Sequence, residues 1–540
     1  MISGAEIMVK CLEQEGVSLT FGYPGAAICP FYDKLSVSSV RHVLVRQEQN
    51  AAHAASGYAR ASGKPGVCIA TSGPGATNLI TGIATAYMDS VPMIAITGQV
   101  RSELLGRDVF QEADITGACE PFTKHSYLVK DTADLPRVFK EAFHIATTGR
   151  PGPVLIDVPV DIQQNEISEF KYPQQADIIG YKPSTQGHAL QIKKALEVLS
   201  SAKRPLICCG GGVVLAGARN EMVAFAEKTG IPVVSTMMGL GVVPADSDIY
   251  LGMVGSHGRS AANQVLLKSD VVLLCGARVG DRAIIAPEML GSQAQIIHID
   301  VDPAEIGKNI TAHIPIVGDI RLVLGTMADK AKLTAPKEWL DEVRERKEKT
   351  ALRGEPSNDF VEPRSFIRAL STMMQDDAIL VADVGQNQIW AVNNFNVKQG
   401  RFLTSGGLGT MGYSIPAAVG AKLGKPHRQV VAVCGDGSFQ MSMCELGTIA
   451  QNNVNVKILL MVNEHLGMVR EIQDKMYGHR HMATELHGGN PDFVMLAKAY
   501  GIESAVAENN QQAEELAKKM LASDKPFVLV CRVDPNLPSI

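Results

Sequence analysis

The stretch QVVAVCGDGSFQMSMCELGTIAQNNVNVKILLMVN, residues 429–463, contains two apolar runs that are typical of buried parallel strands. The first run, residues 429–434, is followed by the tripeptide GDG at 435–437 and then by a helical segment. The second run, residues 456–462, ends at Asn463. Because open α/β sheets bind ligands at the carboxyl ends of their strands, the polar residues after both runs are predicted to meet at one edge.

Asp436 and Asn463 offer a carboxylate and an amide oxygen at these two strand ends. Mg²⁺ prefers oxygen ligands and usually shares them with substrate phosphates. The glycines around Asp436 would let the backbone approach a phosphate closely. Spacing alone leaves two interpretations open: a magnesium-phosphate site, or a plain turn with Asn463 as a strand cap.

The same alternation of β-rich runs, glycine-rich turns and helical patterns extends over the rest of the chain. It predicts an α/β protein made of three doubly wound parallel-sheet domains. We place them at residues 1–165, 188–335 and 363–540. The polar segment 161–185 is predicted to be a linker, and the charged segment 337–353 a solvated helix that leads to the third domain.

Composition excludes several classes of protein. The 540 residues carry a net charge of −5 without a long basic run, which argues against a nucleic-acid partner. No apolar stretch is long enough to span a membrane, and the N-terminus lacks the apolar core of a signal peptide. The ten cysteines include no C-x-x-C pair, so reduced thiols in a cytoplasmic protein are expected.

Two common nucleotide motifs are absent. The chain has no GxGxxG after its first strand and no GxxxxGK[ST], which disfavours hydride transfer on a Rossmann fingerprint and P-loop phosphoryl transfer. The GGG at 210–212 is consistent either with a phosphate at a helix N-terminus or with a tight structural turn.

With about 25 residues between GDG and Asn463, the opening stretch resembles the thiamin-diphosphate motif. The pattern R-x-E-x-x-A-A-x-x-A-x-G-Y-A-R at 46–60 is similar to the helix that carries the cofactor-activating acid in such enzymes. Segments including FGYPGAAICPFYD, GRDVFQEADITG, TSGGLGTMGYSIPAA and LGMVREIQDKMY extend the resemblance over nearly the whole chain. They resemble the acetolactate synthase large-subunit family more than a decarboxylase or an oxidase.

The resemblance implies a role for Glu48, which by itself would be a surface residue favoured by the helix dipole. In the family this acid hydrogen-bonds the aminopyrimidine of thiamin diphosphate and so activates the cofactor. Gln111 and Phe110 match positions near the reacting centre. The implied Mg²⁺ ligands are Asp436, Asn463 and the backbone carbonyl of His465. The other residues implied to bind thiamin diphosphate are Gly25, Pro74, Asn78, Val384, Gly385, Gln386, Asn387, Gly409, Met411, Gly435, Gly437, Ser438, Leu466, Gly467 and Met468.

By resemblance, the first and third domains bind the pyrimidine and the diphosphate, and the middle domain is nucleotide-binding-like and holds a structural FAD. The implied FAD contacts are Arg150, Gly210, Gly211, Gly212, Thr236, Met237, Gly255, His257, Gly276, Arg278, Asp300 and Asp319. Ala26, Arg282, Val469 and Ile472 match substrate positions.

The implied reaction is the decarboxylation of pyruvate and the transfer of its two-carbon unit to a second 2-oxo acid. Pyruvate as acceptor gives 2-acetolactate, and 2-oxobutyrate gives 2-aceto-2-hydroxybutyrate, both precursors of branched-chain amino acids. A homodimer or homotetramer with active sites across the subunit interface is implied, and a small regulatory subunit is a possible partner.

Several residues depart from the family pattern. RVGDRAII at 278–285 stands where the family has RFDDRVTG, which puts FAD binding in question. Ala26 replaces a glycine, Asn387 replaces a histidine and Ile472 replaces a tryptophan. The Ile472 change predicts a weaker preference for 2-oxobutyrate. These changes leave two alternatives to an acetolactate synthase: a thiamin-dependent carboligase or decarboxylase acting on another 2-oxo acid, and a non-catalytic regulatory paralogue.

Overall fold

The computed structural model describes residues 1–284, 287–350 and 354–540. Three six-stranded sheets, all parallel within the described residues, form the framework. The predicted fold class is confirmed. Each sheet has helices and apolar side chains on both faces, which is why its strands are continuous apolar runs and not alternating ones.

The N-terminal sheet has the strand order β3-β2-β4-β5-β7-β6. Its strands are β2 (Leu19–Tyr23), β3 (Arg41–Leu44), β4 (Gly66–Ala70), β5 (Met93–Gln99), β6 (His125–Leu128) and β7 (Pro153–Pro159). The helices around it are α1 (Gly4–Gln14), α2 (Cys29–Ser36), α3 (Glu48–Ser62), α4 (Pro74–Met88), α5 (Ile115–Cys119), α6 (Leu135–Thr147) and α7 (Val160–Gln164).

The predicted linker begins with ordered structure. Helix α7 occupies its first residues, and β8 (Glu166–Ile167) then pairs antiparallel with β1 (Ile2–Ser3). This small ladder returns the chain to the N-terminal domain. Lys124 also fixes the segment, because its ammonium donates to the Thr148 carbonyl at 2.7 Å and to the Tyr181 hydroxyl at 3.0 Å.

The middle sheet has the order β11-β10-β9-β12-β13-β14. Its strands are β9 (Pro205–Cys209), β10 (Val233–Ser235), β11 (Tyr250–Met253), β12 (Val271–Cys275), β13 (Gln295–Asp300) and β14 (Ile314–Val317). The helices are α8 (Ala189–Ser201), α9 (Gly211–Leu215), α10 (Arg219–Thr229), α11 (Ser260–Lys268), α12 (Pro287–Gln293), α13 (Ile320–Lys330) and α14 (Lys337–Lys349).

Helix α14 is the predicted charged helix, but it is not solvated on all sides. Trp339 is buried, and its indole N–H donates to the Pro205 carbonyl at 2.9 Å. The last residues of that prediction, 351–353, lie outside the described residues.

The C-terminal sheet has the order β16-β15-β17-β18-β20-β19. Its strands are β15 (Ile379–Ala382), β16 (Arg401–Leu403), β17 (Val430–Gly435), β18 (Lys457–Val462), β19 (Glu503–Ala507) and β20 (Phe527–Arg532). The helices are α15 (Pro363–Met373), α16 (Gln386–Asn394), α17 (Ser414–Gly424), α18 (Asp436–Ser442), α19 (Leu446–Asn452), α20 (Gly467–Met476), α21 (Phe493–Ala499) and α22 (Asn510–Ala522).

The N-terminal and C-terminal domains pack together through α3 and α17. A Cβ at Gly57 would collide with the Ala417 carbonyl, and one at Gly420 would collide with the Ala54 carbonyl. Glycine therefore lets the two backbones cross in direct contact. Among the described residues, no helix has both the length and the apolarity needed to span a bilayer.

Candidate active site

Asp436 begins α18 directly after β17, at the carboxyl edge of the C-terminal sheet. Its side chain is almost completely buried. Its Oδ2 accepts from the Glu464 amide at 2.8 Å and from Asn490 Nδ2 at 2.9 Å. Burial raises the pKa of Asp436 above its ordinary value, although these hydrogen bonds act in the opposite direction. A cation beside this carboxylate would compensate the cost of burying its charge.

Asn463 follows β18, the neighbour of β17 in the sheet. Its Oδ1 accepts from the His465 amide at 3.1 Å, and its Nδ2 donates to Gln386 Oε1 at 2.7 Å. The link from Asp436 to the Glu464 amide brings the two strand ends together. The predicted ligand residues Asp436, Asn463 and His465 therefore lie in one small region.

This donor set suits Mg²⁺. In the part of the chain that the structure describes, no group of three or more His, Cys, Asp or Glu side chains could hold a metal ion. The predicted set instead combines one carboxylate, one amide oxygen and one backbone carbonyl. Mg²⁺ is commonly held by one or two carboxylates together with phosphate oxygens, so the residues present fit a magnesium-diphosphate group.

Two further loops border this edge, and Asp383 connects them. Asp383 is fully buried at the end of β15 and accepts from its neighbour Val384, from Gly412 and from Ser414, all through backbone N–H groups at 2.7–2.9 Å. These contacts hold the turn after β15 next to the loop that carries Gly409. Desolvation raises the pKa of Asp383.

The remaining predicted diphosphate residues lie around the same edge. A Cβ at Gly437 would lie 2.6 Å from Leu466 Cδ2 and 3.6 Å from Met411 Cε, and one at Gly435 would lie 3.3 Å from Asn387 Oδ1. Ser438 accepts from the Gly435 amide at 3.1 Å. The positions at the ends of β15 and β17 and at the start of α20 are Val384, Gly385, Gln386, Asn387, Gly435, Gly437, Ser438, Leu466, Gly467 and Met468.

Glu48 is the first residue of α3, as the alanine-rich pattern predicts. It is half-buried in the single chain, and its Oε2 accepts from Asn78 Nδ2 at 2.9 Å. A Cβ at Gly75 would lie 3.5 Å from Glu48 Oε1 and 2.8 Å from Thr71 Cγ2. The acid therefore lies beside the turn after β4, with Pro74 and Asn78 in the helix that follows.

That turn contains buried polar groups without a partner. The hydroxyls of Thr71 and Ser72 are buried and make no hydrogen bond. Gly25 packs on Thr71 from the end of β2, where a Cβ would lie 2.5 Å from Thr71 Cγ2. Buried unpaired hydroxyls are costly, so they favour a polar ligand at this edge. The surroundings of Glu48 fit the cofactor's pyrimidine half.

Gln111 lies against the same turn in an unusual backbone conformation. Its φ is +59°, and a Cβ at Gly73 would lie 2.9 Å from Gln111 Cα. A non-glycine residue held in the left-handed region is strained, and such strain is concentrated at functional sites. Phe110 beside it is 87% exposed, an unusual position for a large apolar side chain.

The structure keeps the two halves of the predicted thiamin site apart in one respect. Among the described residues, no hydrogen bond joins Glu48 or Gln111 to the predicted diphosphate residues. The two domains are instead joined near Glu48 through Glu445, which accepts from the Arg46 backbone N–H and from Asn50 Nδ2 at 2.9 Å.

The predicted FAD residues follow the carboxyl ends of the strands of the middle sheet. The turns after β9, β10, β11, β12 and β14 and the end of β13 contribute Gly210, Gly211, Gly212, Thr236, Met237, Gly255, His257, Gly276, Arg278, Asp300 and Asp319. Several of these groups already have partners within the protein: the amides of Gly210 and Gly212 donate to Cys275 and Gly276 carbonyls at 2.9 and 3.0 Å.

The charges at this edge are arranged around Arg150. Its guanidinium pairs with Glu305 at 2.9 Å and with Asp302 at 3.3 Å, and donates to Ser90 Oγ at 2.8 Å. Asp300 is buried, which raises its pKa to about 6. His298, two residues earlier in β13, is buried with both ring nitrogens unpartnered. The ring nitrogens of His298 are therefore available to a polar ligand. The guanidinium of Arg150, a predicted FAD contact, is already paired with Asp302 and Glu305.

The predicted substrate residues are distributed over three regions. Ala26 is exposed after Gly25, and Val469 and Ile472 are 46% and 47% exposed on α20. The Arg282 side chain is 78% exposed beside Asp281, as in an ordinary surface ion pair, although its carbonyl accepts from the Ser256 amide at 3.0 Å. Ile285, the last residue of the departing RVGDRAII segment, lies outside the described residues.

Sequence reasoning missed several residues that organise the site. Asn490 contacts Asp436, and Glu471 Oε1 accepts from Gln386 Nε2 at 2.6 Å. Neither residue lies near a strand end, so neither carried a sequence signal. Asp383 did carry one, since an acid directly after the apolar run AILVA repeats the pattern of Asp436.

Comparison with known proteins agrees with this geometry. Three family models match in order along the chain: the thiamine pyrophosphate enzyme N-terminal TPP-binding domain over residues 2–118, the central domain over 192–327 and the C-terminal TPP-binding domain over 383–531. The three matches and the three-sheet fold define a thiamine pyrophosphate enzyme.

The relatives make the assignment more specific. The chain is 46% identical to the probable acetolactate synthase large subunit of Methanocaldococcus jannaschii, covering 99% of this chain and 92% of that protein. It is 46% identical to the acetolactate synthase large subunit of Corynebacterium glutamicum, covering 98% and 86%. The chain belongs to the acetolactate synthase large-subunit family, as its motifs predict.

Proposed function

We propose that this chain catalyses the thiamin-diphosphate- and Mg²⁺-dependent decarboxylation of pyruvate and condensation of its two-carbon unit with a second 2-oxo acid. The products would be 2-acetolactate or 2-aceto-2-hydroxybutyrate, in branched-chain amino-acid biosynthesis. The observation that carries the proposal is the juxtaposition of Asp436 and Asn463 at adjacent strand ends, in a chain that matches acetolactate synthases over nearly its whole length.

The residues would divide the work between the two domains. Asp436, Asn463 and the His465 carbonyl would hold Mg²⁺ and, through it, the diphosphate. Glu48, oriented by Asn78, would exchange a proton with a ring nitrogen of the pyrimidine. When bound, thiamin diphosphate supplies the carbon nucleophile and the electron sink for decarboxylation.

Gln111 and Phe110 would act on the substrate side. Gln111 is held beside the turn that borders Glu48, so its amide can orient a 2-oxo acid. Phe110 would cover the reacting centre and limit access of water, which would otherwise protonate the reacting carbon and release acetaldehyde.

Product analysis tests the proposal. The full chain is incubated with pyruvate, Mg²⁺ and thiamin diphosphate, with and without 2-oxobutyrate, and the products are identified by mass spectrometry. We expect acetolactate, and the mixed product when 2-oxobutyrate is present. Acetaldehyde as the main product would indicate a decarboxylase, and binding of the cofactor without turnover would indicate another 2-oxo acid or a non-catalytic role.

We propose a homodimer as the smallest active unit, with Glu48 of one subunit serving the diphosphate site of the other. The exposed Phe110 and half-buried Glu48 of the single chain support this arrangement. Coexpression of a Glu48→Gln chain with an Asp436→Ala chain tests it, since a mixed dimer with shared sites would contain one intact site. Recovered activity is expected, and none is expected if each chain is self-sufficient.

FAD and a small subunit are further parts of the proposal. We propose that FAD binds at the carboxyl edge of the middle sheet, supported by the unpartnered His298 and the buried Asp300. The visible absorbance of the gel-filtered protein tests it.

The relatives are named large subunits, and we propose a small partner subunit here, to be tested by copurification. The proposed domain limits are 1–165, 188–335 and 363–540, which limited proteolysis can check.

A further inference from the structure

A buried carboxylate joins the C-terminal domain to the start of helix α3. Glu445 lies between α18 and α19 and is only 1% exposed. Its Oε1 accepts from the Arg46 backbone N–H and from Asn50 Nδ2, both at 2.9 Å. Its Oε2 accepts from the Thr448 hydroxyl at 2.6 Å. One carboxylate thus satisfies two donors of the N-terminal domain and one of its own domain.

The two N-terminal donors bracket Glu48. Arg46 lies two residues before the acid and Asn50 two residues after it. Helix α3 begins at Glu48, and its N-cap residue Gln47 makes no side-chain capping hydrogen bond. A helix start without such a cap has exposed donors and frays easily. Glu445 accepts hydrogen bonds from residues on both sides of Glu48 and so holds the first turn of α3 from outside the helix.

The surrounding contacts make this anchor rigid. The Arg46 guanidinium donates to Gln451 Oε1 at 2.8 Å and to the Gly447 carbonyl at 3.3 Å. The Thr448 hydroxyl also lies 3.1 Å from the Leu44 carbonyl, so its single proton is shared between that oxygen and Glu445 Oε2. A negative charge near a helix N-terminus is also favoured by the helix dipole. The first turn of α3 is therefore fixed from the opposite domain.

We propose that Glu445 is a positioning residue that sets the orientation of the Glu48 carboxyl through Arg46 and Asn50. The inference rests on the proposed function, since it assigns Glu48 the role of the activating acid. It adds that the contact between the two domains of one chain controls that acid. Glu445 would act only through these protein contacts, since both of its carboxylate oxygens already accept donors of the chain.

Three variants and one control test the proposal. Glu445→Ala removes both acceptor oxygens, Glu445→Gln retains an acceptor for Arg46 and Asn50, and Asn50→Ala removes one of the two anchored donors. The control Arg41→Ala removes a contact of 3.4 Å to Asn452 in the same interface that does not involve α3.

Two readouts separate positioning from general folding. The first is amide hydrogen exchange of residues 44–53 in the cofactor-free protein. The second is the rate at which bound thiamin diphosphate exchanges its C2 proton in D₂O, measured by NMR beside kcat, KM and the cofactor dissociation constant. Misplacing a catalytic group by about 1 Å can cost roughly a hundredfold in rate, so a tenfold to hundredfold effect is expected.

For Glu445→Ala we expect faster amide exchange in residues 44–53 and a fall in kcat and C2 exchange of about tenfold or more. KM and the cofactor dissociation constant should stay within about threefold, since the groups that bind the diphosphate are unchanged. Asn50→Ala should show a smaller loss, Glu445→Gln should behave nearly as the natural protein, and Arg41→Ala should be unaffected.

Several outcomes would overturn the proposal. One is unchanged C2 exchange in Glu445→Ala while Glu48→Gln lowers it. Another is an equal loss in Glu445→Gln and Glu445→Ala, which would show that the acceptor geometry is not what matters. If Glu445→Ala does not fold, unchanged C2 exchange in Asn50→Ala would overturn it. By contrast, unchanged C2 exchange in Glu48→Gln itself would contradict the proposed role of Glu48, and so the proposed function.

Discussion

The N-terminal and C-terminal sheets can be compared strand by strand. Numbered along the chain within each sheet, both have the order 2-1-3-4-6-5, whereas the middle sheet has 3-2-1-4-5-6. In both, the order reverses between the first and third strands, which is where an open sheet forms its ligand crevice. The ends of β2 and β4 carry Gly25 and Thr71 at that point, and the ends of β15 and β17 carry Gly385 and Asp436.

The chemistry at the two equivalent crevices differs. The N-terminal crevice has hydroxyl groups and a half-buried acid that comes from a helix start. The C-terminal crevice has buried carboxylates at the strand ends themselves, Asp383 and Asp436, and both accept backbone N–H groups. The comparison teaches that one topology supplies the location, while the residues after each strand give the edge its chemistry: buried carboxylates in the C-terminal sheet and hydroxyl groups in the N-terminal sheet.

The largest effect is expected at the C-terminal crevice. Asp436→Ala would remove the one carboxylate of the proposed Mg²⁺ site and leave the Glu464 amide and Asn490 without an acceptor. Breaking a buried charge interaction costs about 3–5 kcal/mol, which corresponds to roughly a thousandfold loss of affinity for Mg²⁺–thiamin diphosphate. Isothermal titration calorimetry measures it.

The surface variant Glu503→Gln on β19 is the matched control. Its ion pair with Lys519 is solvent-exposed, and Glu503 begins its strand at the edge of the sheet opposite the carboxyl ends, so cofactor affinity should not change. Retention of tight binding in Asp436→Ala would mean that the C-terminal crevice is not the diphosphate site.

The N-terminal crevice is expected to affect turnover and not binding. Glu48→Gln keeps the contact to Asn78 but removes the exchangeable proton, which should lower kcat by about a hundredfold to ten-thousandfold. The cofactor dissociation constant should change by less than about tenfold, since the Mg²⁺-diphosphate contacts remain. Steady-state kinetics with calorimetry on one preparation separates the two. If Glu48→Gln lost as much cofactor affinity as Asp436→Ala, the proposal that the N-terminal crevice serves turnover and the C-terminal crevice serves binding would be contradicted.

The sequence predicted much of this framework because parallel strands buried on both faces are continuous apolar runs. The runs before GDG and Asn463 became β17 and β18, and the alanine-rich pattern after Glu48 became α3. An acid or amide directly after such a run is placed at the carboxyl edge by the topology itself. This is why Asp436 and Asn463 could be located without a structure.

The rest depended on contacts between distant parts of the chain. Glu445 acts on Arg46 across 399 positions, and Asn490 acts on Asp436 across 54. Neither residue has a local pattern that distinguishes it from an ordinary helix or loop residue. Packing that sequence spacing does not encode also leaves Glu48 half-buried. It likewise pairs Arg150 with Asp302 and Glu305.

The N-terminal sheet also contains a buried carboxyl, Asp157, which should make the free energy of unfolding depend on pH. It is buried near the end of β7, where Thr97 Oγ1 and Gln99 Nε2 donate to it at 2.7 and 2.9 Å, and burial raises its pKa to about 7. In the unfolded chain the pKa is about 3.9. The folded protein therefore retains a proton that the unfolded chain loses, and its stability should fall as the pH rises from about 4 to about 7.

The full shift corresponds to at most about 4 kcal/mol in the free energy of unfolding. Asp157→Asn keeps both hydrogen bonds possible and should remove this pH dependence, making the variant more stable than the natural protein at pH 8. Denaturant unfolding at several pH values measures it, with the exposed Asp33→Asn as control. Parallel pH profiles for Asp157→Asn and the natural protein would show that Asp157 is ionised when folded, like a ligand carboxylate.

The smallest effect concerns the choice of the second substrate at the C-terminal crevice. Ile472 is 47% exposed on α20, where the family resemblance implies a tryptophan that favours 2-oxobutyrate. Filling a pocket by one or a few apolar groups changes substrate discrimination by about 1–3 kcal/mol. Ile472→Trp should therefore raise the ratio of 2-aceto-2-hydroxybutyrate to 2-acetolactate about tenfold in competition assays.

Leu190→Trp, on the exposed face of α8, should leave the ratio unchanged. A strong preference for 2-oxobutyrate in the natural chain would mean that acceptor choice is made elsewhere, and Ala26 at the N-terminal crevice would be the next residue to vary.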